Sequence, residues 1–229
     1  MRSRRQRMDK RRHTRNAWEK AQKLKRLPAS ILKLTALERL DLSNNALDDV
    51  PEPVLSLEKL KSLDLTGNDL RSRLPRLAKL AKLPDLEELR LGYHLHWKTL
   101  PTELFGLTRL RRLDLSWLTI KTIPDELSRL SELEALDLSS CTGLKKLPSA
   151  VLELRKLRRL TLSGSPIGTV PTGIDALEEL RELSLSETGI RALPESIGRL
   201  TKLEVLEIGD NVHLTTLPSS IGALTSIGF

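Results

Sequence analysis

Three groups of side chains in this chain have types and spacings that could do chemistry. His94 and His96 form a His-x-His pair, which could begin a metal site, but zinc needs three or four ligands and no further Cys or His accompanies them. Cys141 is the single cysteine and could act as a nucleophile. An Asp-Leu-Ser triplet recurs, and the same pair of side chains in every period indicates a repeating fold rather than a unique catalytic constellation.

Motifs that carry known chemistry are absent from the sequence. The chain contains no GxxxxGK[ST], GxGxxG, HExxH, CxxC or GxSxG pattern. We therefore predict no catalytic residue, no metal site and no cofactor, and we expect that the protein is not an enzyme. Cys141 is expected to be a small buried residue rather than a nucleophile.

The elements that must position any functional side chain are set by a regular period. Prolines recur at intervals of 23 to 26 residues: Pro28, Pro51, Pro75, Pro101, Pro124, Pro148, Pro171, Pro194 and Pro218. A regular period in the twenties is typical of a solenoid. Each period reads LxxLxLxx(N)xL…LPxxIxxL, in which the LxL alternation predicts a strand and the spacing of three after Pro predicts a short helical return.

One period cannot bury its own leucines, so the periods must stack with their strands in parallel. The predicted fold class is an α/β solenoid in the form of a curved horseshoe. A parallel sheet of about eight to nine strands lies on its concave face, and short α or 3₁₀ helices lie on its convex face.

The stretch LERLDLSNNALDDVP, residues 37–51, shows the unit at its most regular, and it returns seven times. On these residues the chain resembles the leucine-rich-repeat (LRR) proteins over about residues 27–229. The 23-residue LxxLPxxIxxL variety is similar to intracellular Ras-binding scaffold proteins and to many bacterial and plant proteins, and residues 133–148 are similar to plant intracellular immune receptors. The resemblance implies recognition of a partner protein, not chemistry.

A column of residues follows each strand: Asn45, Asn68, His94, Leu118, Cys141, Ser165, Thr188 and Asn211. In the family this side chain turns inward and bonds backbone groups of neighbouring loops, which explains a polar residue there. Ser, Thr and Cys can do part of this work. Leu118 cannot, so we expect an altered turn at that repeat.

The third and fourth repeats are irregular, and they contain Tyr93, Trp97 and Trp117. Tyr93 and Trp117 occupy the same position in adjacent repeats and should lie side by side at the edge of the concave face, whereas Trp97 takes a core position. Acidic and arginine side chains point outward from the same strands. The predicted binding residues are Arg90, Tyr93, Arg112, Asp114, Trp117, Asp137 and Arg159. Such mixed charge suits a protein partner; simple solvation of the strand face is the alternative.

Charge divides the chain into a basic head and a nearly neutral body. Residues 1–26 hold twelve Lys or Arg and two acids, or +10, which leaves 26 basic and 28 acidic residues, or −2, for the rest. We predict a disordered basic tail over residues 1–15, a capping helix over 16–26 that lays Trp18 on the first repeat, and the LRR domain over 27–229. The tail is a solvated segment, or it binds nucleic acid or an anionic membrane.

The leading functional hypothesis is a non-catalytic protein-binding module that acts as a signalling scaffold or recognition domain through the concave face. The alternatives are the substrate-recognition part of a larger enzyme, such as a bacterial effector ubiquitin ligase, and association with nucleic acid or membrane through the tail. The low cysteine content favours a reducing, cytoplasmic location. Leu224, Ile227 and Phe229 predict a ninth strand without a cap, where association with another chain is open.

Overall fold

The computed structural model describes residues 23–70 and 77–227. Within these residues, eight strands form one open parallel sheet in strict chain order. The strands are β1 (Arg39–Asp41), β2 (Ser62–Asp64), β3 (Glu88–Arg90), β4 (Arg112–Asp114), β5 (Ala135–Asp137), β6 (Arg159–Thr161), β7 (Glu182–Ser184) and β8 (Val205–Glu207). The predicted sheet and its parallel pairing are confirmed.

Every strand has its central leucine pointing inward and its two flanking residues pointing outward. Leu63, Leu89 and Leu113 pair in register across β2, β3 and β4 and are buried. Equivalent residues of successive repeats therefore lie in straight columns, about 4.8 Å apart from strand to strand. We call the surface formed by the outward side chains of β1–β8 the strand face.

Short 3₁₀ helices return the chain on the opposite side. In the described part of the chain they are η1 (Ala29–Lys33), η2 (Glu52–Ser56), η3 (Lys79–Lys82), η4 (Thr102–Gly106), η5 (Asp125–Arg129), η6 (Ser149–Glu153), η7 (Thr172–Ala176), η8 (Glu195–Arg199) and η9 (Ser219–Ala223). A proline precedes all of these except η3, because its fixed φ and missing N–H suit the residue that enters a helical turn. Each helix has only four or five residues, so it returns the chain to the next strand without forming a layer of long helices against the sheet.

The third repeat carries extra residues on this helical side. Residues 77 and 78 are α-helical and run directly into η3. The helical return of this repeat therefore covers at least residues 77–82, and residues 71–76 lie outside the described part. The core between strands and 3₁₀ helices is aliphatic, and Phe105 and Trp97 are its large aromatic members among the described residues.

The N-terminal boundary differs from the prediction. The backbone N–H of Leu24 donates to Asn45 Oδ1 at 3.0 Å, and Ala46 N–H donates to the carbonyl of Leu24 at 2.9 Å. Leu47 makes the same two bonds one repeat later, so the repeat pattern begins at Leu24 rather than at residue 27. Residues 23–26 are not helical, and the remainder of the predicted helix, Trp18 included, lies outside the described residues together with the basic tail.

The ninth strand was predicted in the wrong register. Leu224 N–H bonds the carbonyl of Ile221, and Ile227 N–H bonds that of Leu224. Leu200 and Leu203 make the same two bonds in the preceding repeat. Leu224 and Ile227 are therefore equivalent to Leu200 and Leu203, and both precede the strand. Phe229 lies outside the described residues. No helix among those residues is long and apolar enough to cross a membrane.

Candidate functional site

The residue column behind the strands ties each loop to its neighbour. Asn68 donates through Nδ2 to the carbonyls of Leu42 and Leu65 at 2.8 and 3.0 Å, and its Oδ1 accepts from Leu47 N–H at 3.1 Å. Asn211 bonds its own neighbours in the same manner. The predicted role of the column is confirmed at these positions.

Leu118 does not alter its turn, and that prediction was wrong. Trp117, which precedes Leu118, has a φ of 57°, in the same left-handed region as Asn44 and the other residues at this position. Its backbone N–H donates to the carbonyl of Ser139, as the equivalent N–H groups do in the other repeats. Leu118 is fully buried. The hydroxyl of Thr119, the next residue, donates instead to two carbonyls of the preceding loop. Backbone bonding thus holds the turn without an inward polar side chain.

Tyr93 and Trp117 stand side by side at the edge of the strand face, as predicted. Their ring centroids are 5.0 Å apart and their planes differ by 17°, a stacked pair. Tyr93 is 51% exposed and Trp117 is 42% exposed. Large apolar rings that remain half in water are available to a partner.

Both rings sit on backbone that is unfavourable for their residue types. Tyr93 has a φ of 64° and Trp117 a φ of 57°, in the left-handed region. Other repeats fill this position with residues that are small or polar: Asn44, Gly67, Ser140, Gly164, Glu187 and Asp210. For a bulky residue this conformation is strained. The sequence analysis missed this strain, although the Asn and Gly residues at equivalent positions were a signal for it.

The three predicted arginines are already engaged within the strand face. Arg90 lies 2.7 Å from Glu88 and 3.7 Å from Asp64, and Arg112 contacts the other carboxylate oxygen of Glu88 at 3.3 Å. Burial alone would raise the pKa of Glu88, but Arg90 and Arg112 outweigh it and hold that pKa below its ordinary value. These arginines line an open depression of about 510 Å³ over β1–β4.

Arg159 is engaged in the same way two strands further on. Its Nη2 lies 2.6 Å from Glu182 Oε1, in the next strand. Arg159 therefore bridges β6 and β7 and is separated from the Arg90–Glu88–Arg112 cluster by β5.

Asp114 and Asp137 are adjacent in register on β4 and β5. No Lys or Arg nitrogen among the described residues lies within 4.0 Å of either carboxylate. Each accepts the backbone N–H two residues further on, Ser116 or Ser139, at 2.8 Å. Burial, reinforced by the charge of Asp114, raises the pKa of Asp137 above its ordinary value. These bonds explain the recurrent Asp-Leu-Ser triplet as a cap of the strand end.

The two histidines do not converge. His94 is buried and stacks on Trp97 with ring centroids 4.4 Å apart, while His96 is exposed. Burial lowers the pKa of His94 to about 4. Trp97 is a core residue, as predicted, and its Nε1 donates to the carbonyl of Leu70 at 3.0 Å. The described residues contain no group of three potential metal ligands.

Cys141 is buried in the inward column, as predicted. Its thiol donates to the carbonyl of Leu115 at 3.1 Å. Burial raises the pKa of Cys141 to about 11, so the thiol is protonated near neutral pH. A protonated, inaccessible thiol is a poor nucleophile.

Family models agree with this architecture. A model described as a leucine-rich repeat region matches residues 99–185, and one described as leucine-rich repeats in two copies matches residues 35–78. The chain is a leucine-rich-repeat protein. No curated protein matches the sequence of this LRR chain.

Solved LRR structures share the fold along most of the chain. The LRR domain of the type III effector XopL is 29% identical with a TM-score of 0.72, covering 87% of this chain and 69% of that one. An LRR protein of Leptospira interrogans is 25% identical with a TM-score of 0.55, covering 90% of this chain and 63% of that one. An internalin of Listeria monocytogenes is 22% identical with a TM-score of 0.59, covering 88% and 68%.

Proposed function

We propose that this LRR protein is a non-catalytic module that binds a partner protein through the strand face and its loop edge, with the Tyr93–Trp117 pair as the anchor. The main observation in support of this proposal is the aromatic pair itself. Two stacked rings are half exposed on backbone that disfavours them, and six other repeats place small or polar residues there. Half-exposed rings on this backbone contribute little to fold stability for their size, whereas exposed aromatic side chains are common anchors of protein interfaces.

The arginines contribute to this surface as fixed charges rather than as free side chains. Arg90 and Arg112 share Glu88, and Arg159 is held by Glu182. A partner that meets them finds preorganised groups, which lowers the entropy lost on binding. Asp114 and Asp137 form no ion pair within 4.0 Å among the described residues and supply the negative part of the surface.

The experiment replaces the two rings by residues that the chain itself uses at this backbone position. The variant Tyr93→Asn/Trp117→Ser copies Asn44 and Ser140. Affinity capture with quantitative mass spectrometry compares it with the wild type and with a matched control, Glu187→Asn/Asp210→Ser, at the same left-handed position. We expect partners that the control retains and the aromatic variant loses. The same partners on all three proteins would refute the anchor.

A second candidate is that the chain is the recognition part of a larger protein. It is favoured by the 29% identity to the LRR domain of XopL, a type III effector in which the repeats are one domain. Expression of the complete open reading frame would test it: a frame that ends at residue 229 contradicts this reading, and a downstream domain supports it. A cytoplasmic location belongs to the proposal and is supported by the single, unpaired cysteine alone. A signalling role belongs to the proposal through the family resemblance alone.

A further inference from the structure

Lysines stack in consecutive repeats on the loop side of the aromatic pair. Lys98, Lys121 and Lys145 each follow directly after a buried residue of their loop, and all three are exposed, as is Lys146. Lys121 N–H bonds the carbonyl of Lys98 at 3.4 Å, which places these two side by side. We call Lys98, Lys121, Lys145 and Lys146 the lysine strip.

The loops that carry the strip pack closely. A Cβ at Gly143 would lie 2.6 Å from the carbonyl oxygen of Thr119 and 2.5 Å from that of Ile120, so only glycine fits there. The loops therefore follow the strand spacing, and the backbone from Lys98 to Lys145 spans about 10 Å. Leu95, half exposed, lies in the chain between Tyr93 and Lys98.

The like charges of the lysine strip contrast with the helical side of the molecule. On the helical side, equivalent residues of neighbouring repeats alternate in sign: Arg109 lies 2.6 Å from Asp85, and Lys156 lies 2.6 Å from Glu132. Within the described residues no carboxylate lies within 4.0 Å of any lysine of the strip. Stacked like charges destabilise neighbouring elements, so the strip opposes the fold slightly.

We propose that the lysine strip and the Tyr93–Trp117 pair together bind an acidic segment of a partner protein. The carboxylates of the segment form ion pairs with the lysines, and one of its apolar side chains packs on the two rings. This inference rests on the proposed function and adds the chemistry of the partner. It follows from the two uncompensated features of the surface, exposed rings and unpaired positive charge, lying on one edge of the third to fifth repeats.

Charge selects a protein segment over a nucleic acid. Asp114 and Asp137 lie on the strand side of the rings and have no basic partner within 4.0 Å in the described structure. They repel a polyphosphate that crosses the edge. A short acidic segment can pair its carboxylates with the lysines and place neutral or basic residues next to the aspartates of the strand face. A polyphosphate, which is charged along its whole length, cannot do this. The patch spans about 10 Å, the length of three to four extended residues.

The test selects twelve-residue peptides from a random phage-displayed library on the full chain. Counter-selection uses the variant Lys98→Glu/Lys121→Glu/Lys145→Glu. We expect enriched peptides that carry net negative charge and at least one large apolar residue. Fluorescence anisotropy of a labelled enriched peptide should show about tenfold or greater weakening in the lysine variant and in Tyr93→Asn/Trp117→Ser, and weakening with added NaCl.

The control is Lys33→Glu/Lys59→Glu/Lys82→Glu, which makes the same change in net charge at exposed lysines away from the strip and should bind the peptide like the wild type. No enrichment, neutral or basic peptides, or equal weakening by the control overturns the inference. Tighter lysine-dependent binding of single-stranded DNA or of phosphatidylserine vesicles also overturns it. A partner lost with the rings but insensitive to lysine reversal and salt refutes this inference and leaves the proposed function standing.

Discussion

Replacing the exposed aromatic pair should cost far less stability than replacing the buried tryptophan next to it. Tyr93 and Trp117 are roughly half exposed, so their substitution by Asn and Ser removes only about half of the roughly 2–3 kcal/mol that full burial of a large ring gives. Loss of the stacked contact adds about 1 kcal/mol. Together the double variant loses about 3–4 kcal/mol of favourable terms.

Relief of backbone strain offsets part of this loss. A residue with a side chain in the left-handed conformation costs roughly 1–2 kcal/mol, and short polar residues tolerate it better. Recovery of about 1 kcal/mol at each site leaves a net decrease of about 1–2 kcal/mol in the free energy of unfolding. Trp97→Ala, in contrast, opens a cavity and removes the bond to the carbonyl of Leu70, so we expect a loss of about 4–6 kcal/mol.

The assay is equilibrium unfolding in urea followed by far-ultraviolet circular dichroism, because tryptophan fluorescence changes with the substitutions themselves. Midpoints are compared among variants that share the wild-type m value, since a repeat protein can lose two-state behaviour. If the aromatic double variant loses as much as Trp97→Ala, the pair is a structural part of the third and fourth repeats. The strain argument for a binding role then fails.

Three further predictions concern the repeats themselves. Asn68→Ala removes three hydrogen bonds to buried backbone groups and, at about 1 kcal/mol each, should lower the free energy of unfolding by about 3 kcal/mol in the same assay; a loss under about 1 kcal/mol contradicts the bonding role of the column. Gly198→Ala should lower the thermal midpoint because its Cβ would lie 2.3 Å from the carbonyl oxygen of Ser220, whereas Gly222→Ala, with open space, should not; equal midpoints would contradict the close packing. His94 has a folded pKa of about 4 below its unfolded value of 6.5, so it contributes stability above pH 6.5 that falls away between pH 6.5 and about 4, by about 3 kcal/mol. His94→Asn should flatten this part of the profile, and an unchanged profile would show that other groups cause it.

Much of the fold could be predicted because the repeats solve the same packing problem at every period. The alternation around Leu63 and Leu89 requires strands with one buried face, and stacking is the arrangement that buries them all. The register predicted for the end of the chain was wrong. Leucines in this pattern are spaced by three, so Leu224 matches two different positions of the repeat equally well. Hydrogen bonds, which depend on the neighbouring repeat, distinguish the two positions.

The candidate site could be predicted in part. Matching positions in adjacent repeats brought Tyr93 and Trp117 together, since a fixed period converts sequence position into spatial position. The engagement of Arg90 and Arg112 by Glu88 was not predictable, because long side chains choose among several acids within reach. The fixed period also predicts the lysine strip, because Lys98, Lys121 and Lys145 each stand directly after an inward residue of their loop.

The sequence by itself determined the solenoid, the parallel sheet, the inward column and the meeting of Tyr93 with Trp117, because each of these follows from a period repeated along one axis. The tertiary structure alone decided which charges are compensated. It also showed that Leu118 leaves its turn unaltered. These outcomes depend on rotamers and on bonds between repeats. Neither is fixed by a residue's place in the period, since both depend on which neighbours lie within bonding distance.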